Sequence, residues 1–125
     1  PTININLNEA SVLNSNKAYL ESIILNLITN SLKFKSENRA LEINITASKI
    51  GNITTILFSD NGIGIDLKRN RNKVFGLYQR FHNHSDSRGL GLYLVKSQVE
   101  TMGGTIEIES EANKGTTFTL TFKNT

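Results

Sequence analysis

Asp60-Asn61-Gly62-Ile63-Gly64-Ile65 sets a carboxylate beside two glycines spaced by one residue. A carboxylate next to a pliable turn can accept a hydrogen bond from an exocyclic amino group such as that of adenine. Glycine lets backbone approach a flat ring closely. Read alone, Asp-Asn-Gly is equally a turn tripeptide of the kind that joins two strands. Here no strand follows, because Ile63 to Leu67 run into Lys68 and Arg69. Asn26 and Asn30 form a second constellation, with Lys33 one turn further on a helical pattern. Asparagine lowers helix propensity, so two of them at i and i+4 beside an apolar stripe call for a reason. One reason is a metal-bound phosphate, since an amide carbonyl is a hard oxygen donor of the kind Mg²⁺ takes. The other is a pair of satisfied surface amides. Gly89-Leu90-Gly91-Leu92 opens another helical pattern, whose free N–H groups and positive dipole end suit phosphate oxygens or simply mark a flexible helix start.

In this order, with the segment Phe75 to Phe81 between them, these motifs resemble the N, G1, F and G2 boxes of the histidine-kinase catalytic and ATP-binding domain (HATPase_c) of the GHKL superfamily. The resemblance covers roughly residues 3–123. It implies ATP and Mg²⁺ as cofactors. By the family pattern Asp60 receives the adenine amino hydrogen, and Gly62, Gly64 and Ile65 shape the pocket. Asn30 is then the Mg²⁺ ligand, Asn26 and Lys33 lie near the phosphates, and Gly89, Leu90, Gly91 and Leu92 form the phosphate-facing helix start. Arg80 matches a lid arginine that approaches the γ-phosphate, which with Asn30 and Lys33 completes the implied catalytic set. Thr116, in Gly115-Thr116-Thr117, corresponds to a threonine that helps hold adenine through water, and is equally an ordinary strand residue. The chain also departs from the pattern. Ser87 stands where the first G2 glycine is usual, Arg88 follows it, and the lid is short. Phe75, Tyr78 and Phe81 match an F box only loosely and read as core aromatics.

Residue 26 separates the branches of the superfamily. In hydrolytic relatives such as DNA gyrase, a Glu four residues before the metal Asn activates water. Asn26 cannot act as a general base. The expected activity is therefore a protein-histidine kinase that transfers the γ-phosphoryl to a histidine on a separate dimerisation domain, with a response regulator further downstream. His82 and His84 lie in a polar stretch with no neighbouring carboxylate and read as surface histidines, so the phospho-acceptor is expected outside this chain. The alternatives are a degenerate module that binds nucleotide or a partner without transfer, and a hydrolytic GHKL ATPase. No Gly-x-x-x-x-Gly-Lys-Ser/Thr occurs, which excludes a P-loop.

The elements that must position these residues follow from periodicity. Ile3-Asn4-Ile5-Asn6-Leu7 alternates as a strand. Asn14-Ser15-Asn16 offers N-cap residues for a helix to about Phe34, with Leu20, Ile23, Ile24, Leu27, Ile28, Ser31 and Phe34 as its inward stripe. Leu41 to Ser48 alternates with one wet face, Gly51-Asn52 turns, and Ile53 to Ser59 reads as a more buried strand ending at Asp60. A second helix runs from Gly89 to Met102, with Leu92, Val95, Val99 and Met102 inward and Gly103-Gly104 as its stop. Thr105 to Ser110 and Thr116 to Phe122 close the chain as strands. The order β-α-β-β-loop-α-β-β predicts an α+β fold, a two-layer α/β sandwich with helices on one face of a mixed, mostly antiparallel sheet. The resemblance implies the same Bergerat-type layout.

Composition sets the outer bounds. With 125 residues and 38% hydrophobic content, the chain is expected to form one domain over residues 1–125. Cysteine is absent, which excludes disulfides and thiolate metal sites. The net charge of +3 is mild, and the basic run at residues 68–73 has no interleaved aromatics, so no nucleic-acid partner is expected. The start at Pro1 reads as a fragment of a longer sensor kinase, cytoplasmic and monomeric by itself, whose other parts can include a membrane anchor.

Overall fold

Residues that alternate in the sequence alternate across one sheet. The computed structural model describes residues 2–7, 17–65 and 90–123, and of Leu90 and Gly91 the backbone alone. Its elements are β1 (Thr2–Asn6), α1 (Lys17–Lys33), β2 (Glu42–Ile50), β3 (Ile53–Asp60), α2 (Leu90–Thr101), β4 (Thr105–Glu111) and β5 (Gly115–Lys123). The strand order is β1-β2-β3-β5-β4. Among the described strands only β1 and β2 run parallel; the other pairs are antiparallel. This is the expected element order and mixed sheet. The Asn14-Ser15-Asn16 cap, the Phe75–Phe81 segment, the basic run, Arg80, His82, His84, Ser87, Arg88 and Gly89 lie outside the described residues.

Both described helices lie on one face of the sheet. Ile43 and Ile45 of β2, Ile56 and Phe58 of β3, Ile108 of β4, and Phe118, Leu120 and Phe122 of β5 share that face and bury with Ile23 and Leu27 of α1 and Leu92, Val95 and Val99 of α2. The opposite face carries Asn44, Thr46, Ser48, Thr119 and Glu107 and meets solvent. Leu57 and Ile53 belong to that wet face, so β3 is buried on one side only, less than its apolar run suggested. A sheet with helices on one face leaves the outward row of every strand in water. At the edge, Ile3 and Ile5 pair with Ile43 and Ile45 yet remain exposed, because among the described residues β1 has one neighbour.

The helix α2 ends as its glycines predict. Gly104 N–H donates to Val99 C=O at 2.9 Å and Gly103 N–H to Glu100 C=O at 2.9 Å, with Gly103 at φ 78°. That is a Schellman closure, which needs a residue tolerant of the left-handed region at Gly103. No described helix is long and apolar enough to cross a membrane.

Candidate functional site

Asp60 is the last residue of β3, where the inner face of the sheet runs out. Its partners across the sheet are Ile43 on β2 and Thr116 on β5. Both carboxylate oxygens are held: Ser31 Oγ donates to Oδ2 at 2.6 Å and Gly62 N–H donates to Oδ1 at 2.9 Å. Ser31 sits in the buried stripe of α1, 1% exposed. Thr116 is also buried, and its hydroxyl lies 2.8 Å from Ser110 Oγ, which itself donates to Gly115 C=O at 2.8 Å. Asp60, Thr116 and Ser110 therefore stand side by side on three adjacent strands, and an open cavity of about 360 Å³ runs past all three and Lys114. That is within the size range of small-ligand sites.

The loop after Asp60 is fastened on two sides. Asn61 binds the strand entry, its Nδ2 donating to Ala40 C=O at 2.9 Å and its Oδ1 accepting from Glu42 N–H at 2.8 Å. Ile63 N–H donates to Phe34 C=O at 2.9 Å, and Ile65 N–H to Ser110 Oγ at 2.7 Å. The glycines have a structural requirement of their own. A Cβ on Gly62 would sit 2.5 Å from Phe34 C=O, and one on Gly64, at φ 75°, would strike Glu111 C=O. Backbone meets backbone at both positions, which only glycine permits.

Asn26 and Asn30 are half-buried at the margin of the α1 stripe, and Lys33 is exposed at its end. The Asn30 side chain makes no hydrogen bond with another described residue, whereas Asn26 Nδ2 reaches Ser22 Oγ at 3.5 Å. Ser22 also accepts from Gln98 Nε2 of α2 at 3.0 Å, so a polar seam ties the two helices beneath Asn26. Gln98 Oε1 is the buried side-chain polar atom left without a partner among the described residues. Of the helix-opening motif, Leu90 is the first described residue of α2 and Leu92 is 1% exposed in the core.

Asp60, Gly62, Gly64, Ile65 and Thr116 thus converge at one end of the sheet, and Ser31 joins α1 to them. Ser31, Ser110, Asn61 and Arg39 were not singled out by the sequence as site residues. For two of them a signal existed: Ser31 and Ser110 are hydroxyls at inward positions of otherwise apolar patterns.

A family model described as "Histidine kinase-, DNA gyrase B-, and HSP90-like ATPase" matches residues 15–125. Heme sensor protein HssS of Staphylococcus saprophyticus is 35% identical over 115 residues, 92% of this chain and 24% of that protein. Histidine protein kinase SaeS of Staphylococcus aureus is 30% identical over 125 residues, 96% of this chain and 35% of its own length. The chain therefore spans between about a quarter and about a third of these relatives. Among solved structures, the mycobacterial sensor histidine kinase MprB shares the fold with a TM-score of 0.73 at 19% identity, over 98% of this chain and 81% of that one. Full-length ShkA, solved in complex with AMPPNP, aligns with a TM-score of 0.68 at 28% identity, over 86% of this chain and 22% of that one.

Proposed function

This chain belongs to the histidine kinase-, DNA gyrase B-, and HSP90-like ATPase family, and from that premise we propose that it is the ATP-binding catalytic domain of a sensor histidine kinase. In this reading residues 1–125 are a single domain that holds Mg-ATP and donates the γ-phosphoryl to a histidine on a separate dimerisation domain of the same protein. A response regulator then takes the phosphoryl group. The domain works in the cytoplasm, where ATP is supplied, and is monomeric by itself.

The observation that carries the reading is the Asp60 carboxylate, fixed by Ser31 and Gly62 and flanked by Thr116 and Ser110 at a cavity. Each carboxylate oxygen retains a second acceptor site, which suits the amino group of adenine. Leu92 contributes packing beneath the phosphate end, and the α2 first-turn N–H groups receive phosphate oxygens. Lys33, exposed in the last turn of α1, adds a positive charge for the same groups.

The residues present also fit a divalent cation. The Asn30 amide is free of described partners at the margin of α1, and Mg²⁺ takes one or two protein oxygens together with substrate phosphates. When bound, Mg²⁺ neutralises phosphate charge. Asn30 would hold it, and Asn26, kept in place by Ser22, lies one helical turn away. Phosphoryl transfer depends mainly on positioning and charge neutralisation, so few catalytic side chains are needed. Asn26 supplies no base for water, which favours transfer to a histidine over hydrolysis.

Radiolabelled ATP tests the proposal. The chain alone should bind ATP with little hydrolysis and no self-labelling. Mixed with the dimerisation domain of its parent, it should yield an acid-labile, base-stable phosphohistidine. Rapid release of inorganic phosphate by the chain alone would place it in the hydrolytic branch. Binding without transfer to an intact partner would make it a nucleotide-binding module.

A further inference from the structure

Three backbone carbonyls from two separate loops converge on one guanidinium. Arg39, in the connection between α1 and β2, donates from Nε to Asn61 C=O at 2.6 Å. Its Nη2 donates to Gly62 C=O at 2.7 Å and to Asn113 C=O at 2.9 Å. Among the described residues it has no carboxylate partner. The first two acceptors belong to the loop that leaves Asp60; the third is in the β4–β5 turn, where Asn113 takes φ 66°. Asn113 N–H donates to Ile63 C=O at 2.7 Å across the same junction.

We propose that Arg39 is a positioning residue for the nucleotide base: it clasps the Asn61–Ile65 loop to the β4–β5 turn and so holds Gly62, Gly64 and Ile65 where the base must lie. Carbonyl dipoles that point at one another repel, and a planar cation between them turns that repulsion into charge-assisted hydrogen bonds. Remove the cation and the loop and the turn lose what draws them together. Among the described residues they keep the Asn113–Ile63 and Ile65–Ser110 bonds and the backbone contacts of Gly64 with Glu111 and of Gly115 with Asp60 and Asn61. Ser110 on β4 and Thr116 on β5 flank the turn and line the cavity, so that wall of it depends on the same clasp. Lysine cannot replace it, because an ammonium lacks the rigid fork that meets three acceptors at once.

The inference rests on reading this cavity as the base site, and the test separates the two. ATP and adenosine affinities, together with amide hydrogen exchange, are measured on the chain and on its Arg39→Ala and Arg39→Lys variants. The clasp predicts that both ligands weaken by about tenfold or more in Arg39→Ala, by the same factor, with little recovery in Arg39→Lys. It also predicts faster exchange at the Ile63 and Asn113 amides while the Ile45 and Phe58 amides keep their protection. Faster exchange with unchanged affinity would make Arg39 a structural tie only and overturn the proposal, as would unchanged exchange. A wild-type chain that binds neither ligand would strike down the base-site reading and the inference with it. Binding by wild type and Arg39→Ala alike would strike down the inference alone.

Discussion

Asp60, the proposed recognition carboxylate, retains little freedom. One oxygen accepts from a buried hydroxyl and the other from the amide two residues on. Asp60→Asn preserves most of this network, since an amide oxygen still accepts from Gly62 N–H and Ser31 Oγ can accept from the amide nitrogen. The substitution should therefore leave the fold intact yet set a donor against the adenine amino group. ATP affinity should fall by about 1–3 kcal/mol. Calorimetry checks this, and equal affinity in the mutant, or GTP binding as tight as ATP in the wild type, would refute the assignment. Asn30 is the opposite case, a side chain free of described partners. Its replacement by alanine should leave thermal unfolding almost unchanged and remove the Mg²⁺ dependence of ATP binding. A mutant that unfolds at room temperature would mean that Asn30 is structural.

At the scale of elements, three pieces meet at Asp60: the end of β3, the inner face of α1 and the β4–β5 hairpin, and the start of α2 is proposed as the fourth. The loop from Asn61 to Ile65 lies against two backbones, so its glycines are fixed by contacts within the protein as well as by any ligand. Gly64→Ala meets both a left-handed φ and the Glu111 carbonyl. It should cost roughly 2–4 kcal/mol of stability, above the ~1–2 of the left-handed conformation alone. Urea titration of the variant measures it, and a loss below about 0.5 kcal/mol, the scale of a neutral surface substitution, would contradict the packing described. The two helices are themselves joined by Gln98, Ser22 and Asn26. That seam lies between apolar contacts of α1 and α2 and gives Asn26 a fixed neighbour.

For the whole molecule, the proposed function gives this domain half of a reaction, with the nucleophile coming from another domain. Arg80, outside the described residues, matches the lid arginine expected at the transferring group. Arg80→Ala should slow phosphoryl transfer more than it weakens ATP binding, as for an interaction made mainly in the transition state. Single-turnover transfer measured beside equilibrium binding separates the two, and equal losses would place Arg80 in ground-state binding instead. The sequence by itself determined the element order, the inward rows of α1, α2 and β5, the glycine stop at Gly103-Gly104 and the family, because periodicity and spaced motifs are local properties of the chain. It also placed Asp60 at a strand end. It could not show that β3 is wet on one side, because a short apolar run does not say how many faces are covered. Nor could it reveal the Ser31–Asp60 bond, the Ser110–Thr116 pair or the Arg39 clasp. Those partners lie 29, 6 and up to 74 residues apart, and all depend on how the sheet pairs and where the helices settle on it. A hydrogen bond between distant residues is decided by the tertiary structure, since nothing in the local sequence selects one acceptor over another.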